Sequence, residues 1–496
     1  MKDLLLGIDL GTSSCKIVAF TRTGEIVKMA RKSYPVFRPR PGFVEQRAED
    51  YWEAVCAILT EWNLESGSIL ADICSIGVTG QTSTEIFLDQ EGKVLYPAIT
   101  WQDIRAAEEA EIIRSEFSEF DLLGILGSNV PVSASWSASR MLWLSRHEPE
   151  IAKRVAKLLQ PKDYVNFRLT GSYFADPWIS KSLAHLRTGE VNPNYLRFLG
   201  FSTEVVAARH LPFEKCGVVS PEAASSTGLK AGTSVVCGCS DAPATMMGSG
   251  AFERPGIAFN CTGTSEIVGL SCGKMCTAEG LMTIPDHLTG SVTIVYGPTQ
   301  SGSSSLLWLN EKITGQSYQE AVKGAESSPP GANGLLFLPY LNGERAPIWD
   351  PAAKGAFLGL TAEHDRDDLS RSVMEGVGFS LRHILSNACS VSDNHPDVLR
   401  ISGGGVRDRI WCQIRADITQ IPVELLACNE ASALGAAMMA GIGAGYWSDT
   451  YEASRSLVSV TERLEPDREY KSLYDVMFTQ YLKAYEYQRL MRKTAI

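Results

Sequence analysis

Asp9 closes a short apolar run, GID, and is followed within four residues by Gly11, Thr12 and Ser13. A turn of this composition presents consecutive backbone N–H groups and hydroxyls, which can cradle phosphate oxygens without a lysine. The carboxylate beside it has two roles open: it caps its own turn, or it holds a hard cation such as Mg²⁺ together with several waters. Asp241 follows SVVCGCS and precedes a run of small residues, APATMMGSG, which puts it at a strand's end and a helix's start. There it is either a helix N-cap or an ionised base that accepts a proton from an attacking hydroxyl. Gly403, Gly404 and Gly405 come after the apolar VLRIS. Amides at such a strand-to-helix turn suit phosphate, and a merely tight turn would need the same glycines. A polar set lies in GQTSTE and ITWQDIRA, where Gln81, Asp103 and Arg105 could hydrogen-bond several hydroxyls and Trp101 could pack on a carbon skeleton. Sugar sites have this composition, although a lone Gln or Arg is by default a surface group.

These residues need elements to place them. LLLGID, LGTSS and CKIVAF read as strand, glycine turn and strand, with TRTGE as the next hairpin turn. A Walker loop or a dinucleotide fingerprint is followed by a helix instead, and neither G-x-x-x-x-G-K-[ST] nor a well-placed G-x-G-x-x-G occurs. The pattern returns in GIAFNCTGTSEIVGLS, where Gly263-Thr264-Ser265 sits between two apolar strands. Two such hairpins predict a duplicated domain and two lobes with a cleft between them. Trp52, Val55, Ile58, Leu59 and Trp62 fall at helical spacing, and so do Val406, Ile410, Trp411, Ile414 and Ile418 after the glycine triplet. The stretch from Ser135 to Gly171 also reads as helical, with Met141, Leu142, Leu144, Ile151, Val155 and Leu158 apolar. The Gly- and Ser-rich run that reaches Gly250, before Arg254-Pro255-Gly256, predicts a domain boundary, giving domains 1–248 and 249–496.

The whole chain limits the readings further. Its 496 residues are about twice the length at which single cores stop growing. A net charge of −11 argues against a nucleic-acid surface, which needs clustered Lys and Arg. The opening apolar run is broken at Asp9, too early for a signal peptide or a membrane span, so a cytoplasmic protein without a membrane partner is expected. The twelve cysteines are scattered, with Cys237 and Cys239 the closest pair, and a reduced structural role is expected of them.

With these residues in view the chain resembles the FGGY carbohydrate kinases, nearly from end to end. GIDLGTSS looks like the family's first phosphate hairpin, RPRPGFVEQRAEDYWEAV like its PGWVEQ-type segment, and VTGQ with YPAITWQDIRA like its acceptor-binding strands. SWSASRMLWLSRHEPE resembles the first signature, with Arg140 where lysine is usual, and PKDYVNFRLTG is similar to the P-x-D-Y segment. PYLNGERAPIWDPAAKGAFLGLTAEHDRDDLSRSVMEGVGF resembles the long second signature, and ISGGGVRDRIWCQIRADITQIPVE with EASALGAAMMAG completes the pattern.

The resemblance implies two ribonuclease H-like α/β domains of the actin and sugar-kinase ATPase type, with the catalytic cleft between them. It implies phosphorylation of a small ketose or polyol by ATP and Mg²⁺, with glycerol, a tetritol or a sugar acid as the alternative acceptor; a homodimer is the family's suggestion. Asp241 would be the base, and Asp9 and Asp241 the metal ligands. Gly11, Thr12, Ser13, Thr262, Gly263, Thr264, Gly302 and Gly403 to Gly405 would hold the nucleotide. Gln81, Thr82, Trp101 and Asp103 would bound the sugar. The chain departs from the xylulokinase pattern where it reads Thr82-Ser83-Thr84 in place of Met-His-Gly, and Ala242 in place of Asn or Gln. Both departures fall on sugar contacts. A non-sugar ATPase of the actin or chaperone type is the competing class, and it has no use for the Trp101-Gln102-Asp103 segment.

Overall fold

The computed structural model describes residues 3–66, 68–127, 132–285 and 292–494. It divides into two compact units, Met1–Gly248 with Ser432–Asp449, and Ser249–Ala431 with Thr450–Ile496.

Among the described residues the first unit is built on a six-stranded sheet. Its strands are Leu4–Leu10 (β1), Ser14–Phe20 (β2), Ile26–Ser33 (β3), Ile73–Gly80 (β4), Lys215–Val218 (β5) and Ser234–Val236 (β6). They lie in the order β5-β6-β4-β1-β2-β3. β1, β2 and β3 form an antiparallel meander, β4 joins β1 in parallel, and β6 joins β4 in parallel. The strand after the first glycine turn is therefore the return leg of a hairpin, with Asp9 opposite Lys16. Trp52, Val55, Ile58, Leu59 and Trp62 of the Ala48–Ser66 helix are buried against this sheet.

The second unit repeats the plan with a seven-stranded sheet among the described residues. They are Ile257–Thr262 (β7), Ile267–Cys272 (β8), Met282–Ile284 (β9), Thr293–Pro298 (β10), Val398–Gly403 (β11), Val423–Leu426 (β12) and Val460–Leu464 (β13). Their order is β9-β10-β8-β7-β11-β12-β13. β7, β8 and β10 form the meander and β11 and β12 the parallel extension, so the Gly263 hairpin occupies the place of the Gly11 hairpin. The Arg366–Val391, Arg409–Thr419 and Lys471–Thr494 helices supply most of the second unit's helical packing.

Three details differ from the sequence-based reading. The stretch from Ser135 to Gly171 is not one helical block: Lys157–Leu159 is a strand paired with Ile86–Leu88, between the Ser137–His147 and Pro161–Thr170 helices. Pro161 can only start a helix, so the apolar residues before it are free to extend. Val406 lies in the short turn Gly404–Arg407, and the long helix starts at Arg409.

The third detail is that a single division at 248/249 omits a return of the chain, because Ser432–Asp449 belongs to the first unit. Small residues explain it. In the Ala431–Gly443 helix they let backbone lie on backbone: a Cβ at Gly7 would stand 2.0 Å from the Ala433 carbonyl oxygen, and one at Gly77 2.0 Å from that of Ala436. Backbone cannot yield as a flexible side chain can. Gly77→Ala should therefore lower stability by at least about 1–3 kcal/mol, the usual cost of overpacking. Gly124→Ala, in the Glu119–Leu126 helix with nothing within 4 Å of the new methyl, should be neutral or stabilising by up to about 1 kcal/mol. Thermal or urea unfolding of the two variants tests the contrast.

Candidate active site

The carboxyl ends of three neighbouring parallel strands converge in the first unit. Leu10 of β1 is in register with Gly80 of β4, and Gly80 bridges Ser240 just beyond β6. Gly11, Gln81 and Asp241 are the next residues along the three chains, and strand ends of this kind are where open α/β sheets place ligands.

Asp9 is half-buried, and its Oδ2 accepts a hydrogen bond from the Ser432 hydroxyl at 2.5 Å. Ser432 comes from the returning helix, and sequence reasoning missed it because nothing local ties position 432 to position 9. The Gly11 turn is pinned by its own N–H, which donates to the Ser14 carbonyl at 3.0 Å, and by the Tyr34 hydroxyl, which donates to the Gly11 carbonyl. Ser13 is exposed at the tip. Thr12 joins the hairpin to the TWQD loop, since the Trp101 indole N–H donates to its hydroxyl at 3.1 Å.

Asp241 is the first residue of the Asp241–Gly248 helix, and its Oδ1 accepts from the Ala242 N–H at 2.8 Å. Burial pushes its carboxyl up to about 7, the charge of Asp9 adds to the rise, and the Ala242 N–H and the Lys181 ammonium oppose it. The loop that carries Asp241 is held from behind. The Cys237 carbonyl accepts from Asn166 Nδ2 at 2.8 Å and from Lys162 Nζ at 3.3 Å. Lys162, fully buried, pairs with Asp163 at 2.5 Å and Asp176 at 3.2 Å. Gly238 has φ +70 and a missing Cβ that would sit 1.9 Å from the Val78 carbonyl oxygen, so only glycine fits there. Neither Lys162 nor Asn166 was singled out from the sequence; a buried lysine is legible only once its partners are placed.

The four expected sugar contacts separate into two kinds. Trp101 is 39% exposed, and Thr82 is half-buried. Gln81 is buried, its amide donating to Gln46 Oε1 at 2.9 Å and to the Tyr51 hydroxyl at 3.2 Å, while its Oε1 has no partner among the described residues. A buried acceptor oxygen without a protein donor calls for one from outside the fold, such as a hydroxyl or a water. Asp103 differs: it is fully buried, with both oxygens consumed by the Arg105 guanidinium and by the Val44 N–H at 2.6 Å. Its carboxylate and the Arg105 side chain brace the Trp101 loop and present nothing to a ligand.

Arg140 is the hub of this region. Fully buried, it donates to the carbonyls of Ser83, Thr100 and Asp103 and pairs with Glu85 at 2.5 Å. It thereby fixes the GQTSTE and TWQD loops together and holds Ser83 at φ +53, a left-handed conformation that a serine enters only under constraint. Ser83 is further held by Gln160, whose Oε1 accepts from its N–H at 2.8 Å.

In the second unit the glycine-rich segments gather on one face. Thr262 ends β7 in register with Gly403, its hydroxyl donating to the Ser402 carbonyl and accepting from the Gly405 N–H, both at 2.8 Å. Side chains at Gly403 or Gly405 would collide with Thr262, at 2.3 Å and 2.8 Å, whereas Gly404 is exposed with nothing within 4 Å. Two of the three glycines thus serve close packing, and Gly404 is the open one. Gly302 N–H donates to the Thr264 carbonyl and Ser303 N–H to that of Gly263, at 2.8 Å and 3.0 Å, which ties the TQSGSS loop to the hairpin. Beneath them Glu266 pairs with buried Arg415 at 2.6 Å.

Two α/β units of one plan, each with a glycine hairpin at the ends of its parallel strands, are the architecture expected of sugar kinases and actin-type ATPases alike, and the comparisons decide for an ATP-dependent carbohydrate kinase. The N-terminal domain of the FGGY family of carbohydrate kinases matches residues 4–248, and the C-terminal domain residues 258–444. The chain is 29% identical over 490 residues to a xylulose kinase of Bacillus subtilis (strain 168), covering 98% of this chain and 97% of that one. It is 28% identical over 523 residues to a gluconokinase of the same organism, covering 99% of each. The crystal structure of a xylulose kinase from Rhodospirillum rubrum superposes with a TM-score of 0.88 at 28% identity, covering 98% of this chain and 99% of that one. The chain belongs to the FGGY family of carbohydrate kinases.

The buried ion pair makes a prediction. Arg140→Met strands the Glu85 carboxylate and should cost about 3–5 kcal/mol of stability, read from denaturant unfolding. Arg140→Lys keeps the charge and should lose clearly less.

Proposed function

We propose that the first unit holds a small sugar or polyol and the second holds ATP, and that Asp241 is the general base for phosphoryl transfer to a hydroxyl. The observation that supports this most directly is the meeting of Asp241, Asp9 and Gln81 at adjacent strand ends, with the exposed Trp101 indole tied to the Gly11 hairpin. The acceptor hydroxyl gives its proton to the Asp241 carboxylate as its oxygen attacks the γ-phosphorus, and ADP leaves with the bridging oxygen. Gln81 Oε1 and Thr82 would orient hydroxyls, and Trp101 would cover a carbon face. Gly11, Thr12, Ser13, Thr262, Gly263, Thr264, Gly302 and Gly404 would contact the nucleotide, with Gly403 and Gly405 giving its turn the necessary shape.

The donor set near the base fits Mg²⁺. Two carboxylates, Asp9 and Asp241, stand near enough for one to raise the pKa of the other, and a hard cation takes a few carboxylates with waters and phosphate oxygens. Bound there, it would neutralise charge on the transferring phosphates. All twelve cysteines are free thiols, half or fully buried, which suits a reducing cytoplasm.

Asp241→Asn should lower kcat by about 10²–10⁴-fold with ATP affinity and unfolding midpoint preserved, and retention of a tenth of the wild-type kcat would refute its role as base. A base must be ionised to act, and burial holds this carboxyl protonated up to about 7. In the metal-free enzyme the carboxyl should therefore titrate near 7, and bound Mg²⁺ should lower that value, so the acid limb of the kcat/KM profile should shift to lower pH as Mg²⁺ is raised. ADP release should also depend on added acceptor; full-rate turnover without any sugar would favour the actin-like ATPase class.

A further inference from the structure

Lys181 stands beside the base and has no role in the mechanism above. It lies on a stiff turn, Asp176 to Ala184, that begins where Asp176 Oδ1 accepts from the N–H groups of Trp178 at 2.9 Å and Ile179 at 3.3 Å. Asp176 is itself anchored by buried Lys162 at 3.2 Å, and the buried Trp178 ring supports the Lys181 ammonium 4.3 Å from its centroid. Along its other side, Ile179 and Ser180 share a small cavity with Ser137 and Gln160, and Gln160 is the residue that accepts from Ser83 in the acceptor loop. The turn thus lies against Gln160, which holds the loop that carries Thr82 and Ser83, and its lysine is within electrostatic reach of Asp241.

The ammonium is half-buried and feels the carboxylates of Asp176 and Asp241, yet it forms no ion pair with any described residue. Lys162, a few residues away in space, forms two. A partly dehydrated cation held on a braced turn, within reach of carboxylates but in direct contact with none among the described residues, is a recognition element for an anion, since pairing recovers hydration it has already lost. The neighbouring positions point the same way: Thr82, Ser83 and Ala242 offer two small hydroxyls and a methyl, a weak set of dipoles for reading a neutral sugar.

Resting on the kinase reading above, we propose that Lys181 is the specificity-determining residue of the acceptor site and that the acceptor is a small polyhydroxy acid. Its carboxylate pairs with the Lys181 ammonium, and one of its hydroxyls meets Asp241. The lysine takes no part in bond making; the group transferred and the proton's path stay as described.

The test is a matched panel of aldonates and neutral acceptors, D-gluconate and D-xylonate against D-xylulose and xylitol, with the full-length wild type, Lys181→Met and Lys181→Arg. The wild type should favour an aldonate, and Lys181→Met should lower the aldonate-to-neutral ratio of kcat/KM by about 30-fold or more, chiefly through KM. Lys181→Arg should keep part of that ratio. A wild type that prefers the neutral acceptors, or a Lys181→Met variant that lowers both classes alike, would overturn the assignment. Absence of ADP formation with every acceptor would instead count against the kinase reading. Calorimetric binding of D-gluconate and D-xylonate gives the separate readout: weaker binding to Lys181→Met supports the assignment, and equal or absent binding to both proteins overturns it.

Discussion

Two carboxylates that repel each other must be kept side by side, and much of the first unit is organised around that requirement. Water would screen Asp9 from Asp241, but the strand ends withdraw both in part from water, so the repulsion is felt and the Asp241 carboxyl is pushed toward neutrality. Each carboxylate therefore needs a mechanical restraint. Asp9 has the sheet register and the Ser432 hydroxyl. Asp241 has the Cys237 carbonyl clamped by Asn166 and Lys162, and a glycine that lets its loop pass against Val78. The Lys162, Asp163 and Asp176 cluster is dear in desolvation, and its return is position more than stability.

Recognition of the acceptor follows the same division between what touches and what holds. Asp103, Arg105, Arg140 and Glu85 form a buried ionic frame, and the residues proposed to face a ligand are few: Gln81, Thr82, Trp101 and Lys181. A frame of this kind keeps loop geometry constant while the small facing residues vary. Related sequences can then share the scaffold and act on different acceptors.

The sequence carried the architecture well, because a strand, a glycine turn and a return strand leave a strong local pattern, and its recurrence at Gly263 pointed to duplication. The two glycine hairpins and the strand-end positions of Asp9 and Asp241 were legible for the same reason: each sits at a break between an apolar run and small residues. Asp103 was read as a sugar contact because sequence gives residue type and not partner, and its partner Arg105 lies two positions on, a spacing common on exposed loops. Ser432, Lys162 and Asn166 act across hundreds or tens of residues and leave no periodic trace. Leu158 lies in a strand because Pro161 starts the next helix and pairing with Ile86–Leu88 is available, a tertiary choice that propensity does not encode.

The Ser432–Asp449 return has a consequence for synthesis on the ribosome. The first unit's sheet is complete in strand count by Val236, but the helix that covers β1 and β4 and supplies the Asp9 partner is made much later. Domains that are contiguous in sequence can fold as they emerge. Here the early unit must wait, with Gly7 and Gly77 uncovered, until most of the later unit has been translated. Completion of the first half is thereby tied to the presence of the second, and a nascent chain cut short after residue 248 lacks the means to close its own core.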